Sequence, residues 1–472
     1  MRRGEGGEMS STGSAGQGRK TGARRQPPAA AALARDPLTA AFEAAAQQAA
    51  PSPLAPEGRS EAARRVRPKF IQRIDDPSPE RANAQALEDL ASGADGLAIV
   101  FEGAPNAFGN GLPANAEALA AALRDVPLMR THLRLDVHPQ SRASIDWLVQ
   151  LLTARRVSPE RLDVSFGFDP AALFAGTGRL RMSIEAMLAS MPQSLAHFFA
   201  LGVPGILLEA DGRVFHNAGA TDAQELGIML ASAVTYLRMF EEARQPALYA
   251  AAHIGFSLSI DQDHRRAIAK LRALRSLWAR VLESYSVPPL EPVIHAETSY
   301  RMLTTRAVDA NLTRATVAAM AAMDAGATSL SLLPPSLPSG LPDAQARRAV
   351  RNALLVLGVE ADVAPSGADV DALAAATGEA AWAELRRIEE EGGVLRSLLD
   401  GHVQARIAES RAALAESLRG GRPAIVGMNV HPAASGGAPL APPATAGAAE
   451  DGVVFCEKLP IVRLEELLDE AA

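Results

Sequence analysis

The chain has 472 residues, 48% of them hydrophobic and only 4% aromatic, and carries a formal net charge of −7. That supplies one large domain of about 250–300 residues plus extensions, with a core filled mainly by Ala, Leu and Val. The negative balance gives no electrostatic case for nucleic acid, the single cysteine (Cys456) excludes an intramolecular disulfide or thiolate metal cluster, and no apolar run reaches the roughly 18–20 residues of a membrane span.

Residues 1–35 are mostly Gly, Ser, Ala and Arg, too poor in large apolar side chains to offset the entropy of ordering. They are expected to be a disordered tail in which Lys20, Arg24 and Arg25 are solvated charges. No signal-peptide core follows, so a reducing cytoplasm is the expected compartment. Residues 36–66 read as an N-terminal arm. Short apolar runs then alternate with helical stretches. The candidate strands are Gly96–Phe101, His132–Val137, Leu162–Phe168, Gly205–Leu208, Leu248–Ile254, Pro292–Ala296, Ser329–Leu333 and Leu354–Val363. Near-continuous apolarity suits strands covered on both faces. Amphipathic spacing predicts helices over Ala143–Ala154, Asp222–Arg244, Asp263–Leu282 and Asn311–Ala325, with Thr221 or Asp222 as an N-cap. Eight strands with crossover helices favour an α/β fold of the (β/α)8 TIM-barrel type, spanning 67–377, over an open doubly wound sheet. Helices Gly378–Glu391 and Val403–Leu418 form a C-terminal helical extension, 378–431. A Pro/Ala/Gly linker and short tail, 432–472, close the chain.

Chemistry in such barrels sits at the carboxyl ends of the strands. The candidates there are His138, Asp169, Asp211, Asn217 and His253, with His295 inside a strand. A His/Asp metal site on these residues is disfavoured, because no strand carries His-x-His. Phosphate-binding glycine motifs are missing, and no Gly-x-Ser-x-Gly elbow marks a nucleophile. A Ser-His-Asp triad stays open.

One stretch is more specific. Gly205–Phe240 runs through Arg213, Val214 and His216 into Ala218-Gly219-Ala220-Thr221. It resembles the segment of cobalamin-dependent methylmalonyl-CoA mutases in which Tyr-His-Met-Gln precedes Glu-Ala-Gly-Ala-Thr. Further matches follow in order: Arg67-Pro68 with Ile71-Gln72-Arg73, Ala267–Trp278, Asn311–Ala319, Ala380-Ala381-Trp382 and Ile425-Val426-Gly427-Met428-Asn429. In the family, a barrel threads a CoA thioester along its axis, and a tyrosine and a histidine at the mouth manage the acyl group. Adenosylcobalamin supplies the radical, held by a separate domain with Asp-x-His-x-x-Gly.

Two departures shape what the resemblance implies. Aligned on Ala-Gly-Ala-Thr, the Tyr-His pair falls on Arg213 and Val214, leaving His216 as a weak catalytic candidate two residues on. Asp136-Val137-His138 and Asp400-Gly401-His402 match Asp-x-His but lack the following glycine, and no further α/β domain is read after Pro432. The expectation is a non-catalytic small subunit, paired with a large catalytic subunit in a heterodimer. Adenosylcobalamin serves the complex and is not held by this chain alone, while acyl-CoA binding stays open. The alternative is a catalytic barrel working with a separately encoded cobalamin chain. Ser165, Ser257 and Thr298 are candidates to line the axis, but a one-residue slip reverses their face.

Overall fold

The apolar runs form a ring of eight parallel strands, seen in a computed structural model that describes residues 67–136, 141–361, 368–432 and 452–469. The strands are β1 Lys69–Ile74, β2 Gly96–Val100, β3 His132–Asp136, β4 Asp163–Phe166, β5 Leu208–Asp211, β6 Ile254–Ile260, β7 Val293–Thr298 and β8 Ser329–Ser331. Their order is β4-β3-β2-β1-β8-β7-β6-β5. A bridge between Ser165 and Ile206 joins the two ends, with the Phe166 amide donating to the Ile206 carbonyl at 2.9 Å. The result is the (β/α)8 barrel that the alternation implies.

Three strand expectations are corrected. Leu354–Val363 is not a strand: its apolar residues belong to the helix Ala344–Val359, capped by Asp343. Leu354 and Leu357 are buried while Val356 and Val359 face solvent, a helical rather than strand periodicity. The place is taken by β1, KFIQRI, whose Lys69, Gln72 and Arg73 hide it from a hydropathy reading. Leu248–Ile254 yields to a one-turn helix, Ala247–Ala251, after Pro246, because the alanines favour a helix. The strand follows it at β6. Gly205–Leu208 begins β5 three residues early: φ is +95° at Gly205, and a Cβ there would meet the Val164 carbonyl oxygen at 2.1 Å.

Eight helices matter below: α1 Pro170–Thr177, α2 Ile184–Ala200, α3 Arg213–Asn217, α4 Asp222–Glu242, α5 His264–Ser284, α6 Ala368–Glu390, α7 His402–Arg419 and α8 Leu464–Asp469. Thr221 caps α4 in a reciprocal capping box with Gln224. The tail after the linker returns to the barrel. Val454–Phe455 pairs antiparallel with Arg179–Leu180, and the Val462 amide donates to the Asn217 carbonyl at 2.8 Å. Leu464 and Leu467 of α8 then pack with Leu418, Ile425 and Met428. The expected N-terminal tail and arm and most of the Pro/Ala/Gly linker lie outside the described residues.

Candidate functional site

Alternation in a strand sends every second side chain to the barrel axis. The odd-numbered strands send long polar residues there, most of them charged: Arg73 from β1, Arg134 and Asp136 from β3, Glu209 and Asp211 from β5, and His295 and Glu297 from β7. The even-numbered strands answer with small ones, among them Ala98, Ser165, Ser257, Ser329 and Ser331, which stand in register beside them. Barrel interiors are filled by side-chain layers drawn from alternate strands, usually branched and apolar. Here the layers are ionic.

The lower layer centres on Arg134, whose guanidinium grips Glu209 through two hydrogen bonds, 2.7 and 2.5 Å, and reaches the Ser257 hydroxyl at 3.3 Å. The upper layer centres on Arg213. It leaves α3, just past β5, and crosses the mouth to Asp136 with two hydrogen bonds of 3.1 and 3.0 Å. The same guanidinium bonds both oxygens of Asp211, at 3.0 and 2.9 Å, and stands 3.3 Å from Glu297. Arg73 continues the chain of charge, 2.7 Å from Asp75 and 3.8 Å from Glu297. Every one of these residues is buried. Gly167 makes room for them, since a Cβ there would meet Asp136 Oδ1 at 2.8 Å and Arg134 Nη2 at 3.0 Å.

Loop residues close the mouth from above. Asn106 accepts from Arg73 through its carbonyl at 2.7 Å and donates to Asp211 at 3.0 Å. Phe108 stacks on Tyr300 with ring centroids 4.2 Å apart, and the Arg73 guanidinium lies 5.2 Å from its ring centre. The space left between Asn106, Asp136, Asp169 and Arg213 is about 20 Å³, room for about one water.

Burial and charge set the protonation states. Burial pushes the Asp136 carboxyl up, but Arg213 and Arg134 outweigh it and hold it well below the usual range. Burial raises Glu209 and Glu297. Asp169 is pushed up to about 6, mainly by burial, while accepting from Tyr236 OH, the Ala171 amide and the Asp211 amide at 2.8–2.9 Å.

The sequence candidates separate on this geometry. Asp169, Asp211 and Arg213 come together at the mouth. Val214 is buried in α3, and Asn217 supports the loops, accepting from the Arg301 amide at 3.3 Å. His253 is a correction. It precedes β6 and so stands at the amino end of the barrel, bonded to the Gly205 carbonyl at 2.8 Å. His138 lies outside the described residues. Ser165 and Ser257 face the axis. Thr298 does not: Glu297 before it points inward, and its hydroxyl accepts from the Leu333 amide at 2.8 Å.

His216 lies behind the mouth. Its Nε2 is 2.8 Å from Ser299 Oγ and its Nδ1 3.1 Å from Glu225, the spacing of a Ser-His-carboxylate triad. All three are fully buried, so this alignment has no route to a substrate. Burial, then Arg301 and Lys270, hold His216 well below its ordinary value, and burial pushes Glu225 up to about 7. His216, Asp222 and Glu225 converge closely enough to hold a cation. The Lys270 ammonium fills that role, bonded to Glu225 and 3.4 Å from Asp222.

Sequence reasoning passed over Arg134, Glu209 and Glu297 as axis residues. The signal was present: charges at alternate positions in HLRLD, LEAD and VIHAET mark a polar inner face inside otherwise apolar runs.

The fold and site define a (β/α)8 barrel whose axis is occupied by ion pairs. A sequence profile described as methylmalonyl-CoA mutase matches residues 112–445. The chain belongs to the methylmalonyl-CoA mutase family. It is 34% identical over 385 residues to a methylmalonyl-CoA mutase small subunit of Streptomyces virginiae, covering 80% of this chain and 60% of that protein. It is 28% identical over 367 residues to the small subunit of Propionibacterium freudenreichii subsp. shermanii, covering 76% and 56%. The large subunit of Streptomyces virginiae is 28% identical over 257 residues, covering 52% and 34%. The chain thus spans little more than half the length of the small subunits it matches. Among the described residues no helix is long and apolar enough to cross a membrane.

Proposed function

We propose that this chain is the non-catalytic small subunit of an adenosylcobalamin-dependent methylmalonyl-CoA mutase of the cytoplasm. It supports a large subunit that interconverts (R)-methylmalonyl-CoA and succinyl-CoA in propionate metabolism. The observation that carries the reading is the Arg213 clamp. A thioester threaded along the axis would have to displace a guanidinium held by Asp136, Asp211 and Glu297. Removing one partner of a buried pair leaves an uncompensated charge, so no small adjustment opens the path. Neither Arg213 nor Val214 matches the tyrosine and histidine of the resemblance. A guanidinium this strongly paired stays protonated and cannot act as a general base.

The described mouth residues do not fit a corrin. The space there is about 20 Å³, and both ring nitrogens of His216 are engaged by Ser299 and Glu225. The cofactor is therefore assigned to the partner. Likeness to proteins named small and large subunits supports the pairing.

The test is purification of the full chain with and without a co-expressed large subunit. Co-elution is expected, with mutase activity that survives His216→Ala in this chain and is missing from the chain alone. Turnover by this chain with a separate cobalamin protein, abolished by His216→Ala, would establish the catalytic alternative instead.

A further inference from the structure

Outside the barrel sheet, packing is looser than along its axis. Beneath α2, beside β5, lies a cavity of about 230 Å³. Its walls are Met187, Met191, Leu195 and Phe198 of α2 with Leu207 and Leu208 at the start of β5, all of them buried. Protein interiors seldom keep voids much larger than a water, and this wall is mainly apolar, with Thr177 and Ser190 the uncharged polar side chains in it. At one end the lining turns basic, with Arg179 and Arg181. Arg181 and its neighbour Met182 are exposed, so the cavity meets solvent at that basic end.

Size and polarity together define the ligand. An apolar cavity of about 150 Å³ accepts a six-carbon ring. By that ratio the 230 Å³ here takes about nine carbons. Three methionines in the lining, Met182, Met187 and Met191, let it adapt to a flexible chain. We propose that this cavity binds a medium-chain monocarboxylate of about eight carbons, its tail against Met187, Met191 and Leu195 and its carboxylate at Arg179 and Arg181. The cavity borders the mouth space through Phe168 and Leu173 but shares none of the charged residues of the axis, so the inference does not rest on the subunit role.

The experiment is isothermal titration of the full chain with sodium octanoate, and with octylamine as the probe of opposite charge. Leu195→Trp fills the chamber, and Met191→Phe fills it less severely should the first variant fail to fold. One saturable octanoate site is expected, with a Kd of about 0.1–1 mM. It should weaken by roughly tenfold or more in whichever filled variant retains the wild-type circular dichroism, and for octylamine. Three results would overturn the proposal: no saturation in the folded wild type, equal octanoate affinity in a folded filled variant, or octylamine binding as tightly as octanoate.

Discussion

The barrel axis and the helical layer outside β5 were built by opposite rules. Inside, where a mutase needs space, charged side chains interlock until about 20 Å³ remains at the mouth. Outside, in the helical layer, mainly apolar side chains leave about 230 Å³. The difference teaches that polarity is a poor guide to an open site. The axis has carboxylates and arginines that read as chemistry, yet each is ion-paired with another. Commitment of that kind carries a cost, because buried ions are tolerated only while every partner is present.

The comparison breaks most readily at Arg213. Arg213→Ala leaves Asp136, Asp211 and Glu297 buried without their shared counter-charge, and is expected to lower stability by about 3–5 kcal/mol in urea denaturation. A loss below about 1 kcal/mol, the scale of a surface ion pair, would mean that the axis is wet and open.

Asp169 sharpens the contrast through pH. Its folded pKa, about 6, exceeds the 3.8 of an unstrained carboxyl. The native state then binds the proton more tightly, so this contribution is fully present below pH 4 and lost as pH rises through 6. Relative to Asp169→Asn, the wild type should lose about 2.5 kcal/mol between pH 4 and about pH 7.5. Taking the difference cancels the opposite trend from His216 and His295, whose folded values are lowered. Parallel pH profiles for the two proteins would show that Asp169 stays solvated.

Gly167→Ala probes the fit of the two ionic layers. Its new methyl must push Asp136 and Arg134 aside, costing about 1–3 kcal/mol by thermal melting. An unchanged Tm would indicate slack in the network. The outer layer supplies the small, pH-independent control: Thr221→Ala removes the α4 capping box and should cost about 1 kcal/mol at every pH.

Much of this architecture was legible in the chain. Thr221, the long amphipathic α4 and α5, and five of the strands announced themselves by cap chemistry and periodicity. The family segment placed Arg213 and Val214 before any geometry was known. What escaped has physical causes. β1 carries the polar residues Lys69, Gln72 and Arg73, and two of them take partners far along the chain, Asp163 for Lys69 and Glu297 beside the nearby Asp75 for Arg73. Leu354–Val359 is apolar enough for a strand, and only a count of its exposed positions makes it a helix. The ionic axis itself is a tertiary fact. Arg134 meets Glu209 across 75 residues of chain, and Arg213 meets Asp136 across 77, so spacing alone does not reveal that the charges cancel.

The most direct measurement is equilibrium dialysis of the full chain against methylmalonyl-CoA. Retention no greater than that of an unrelated protein is predicted, because Arg213 and Arg134 with their carboxylates occupy the axis. Saturable one-to-one binding would contradict the account and return the axis to the status of a substrate channel.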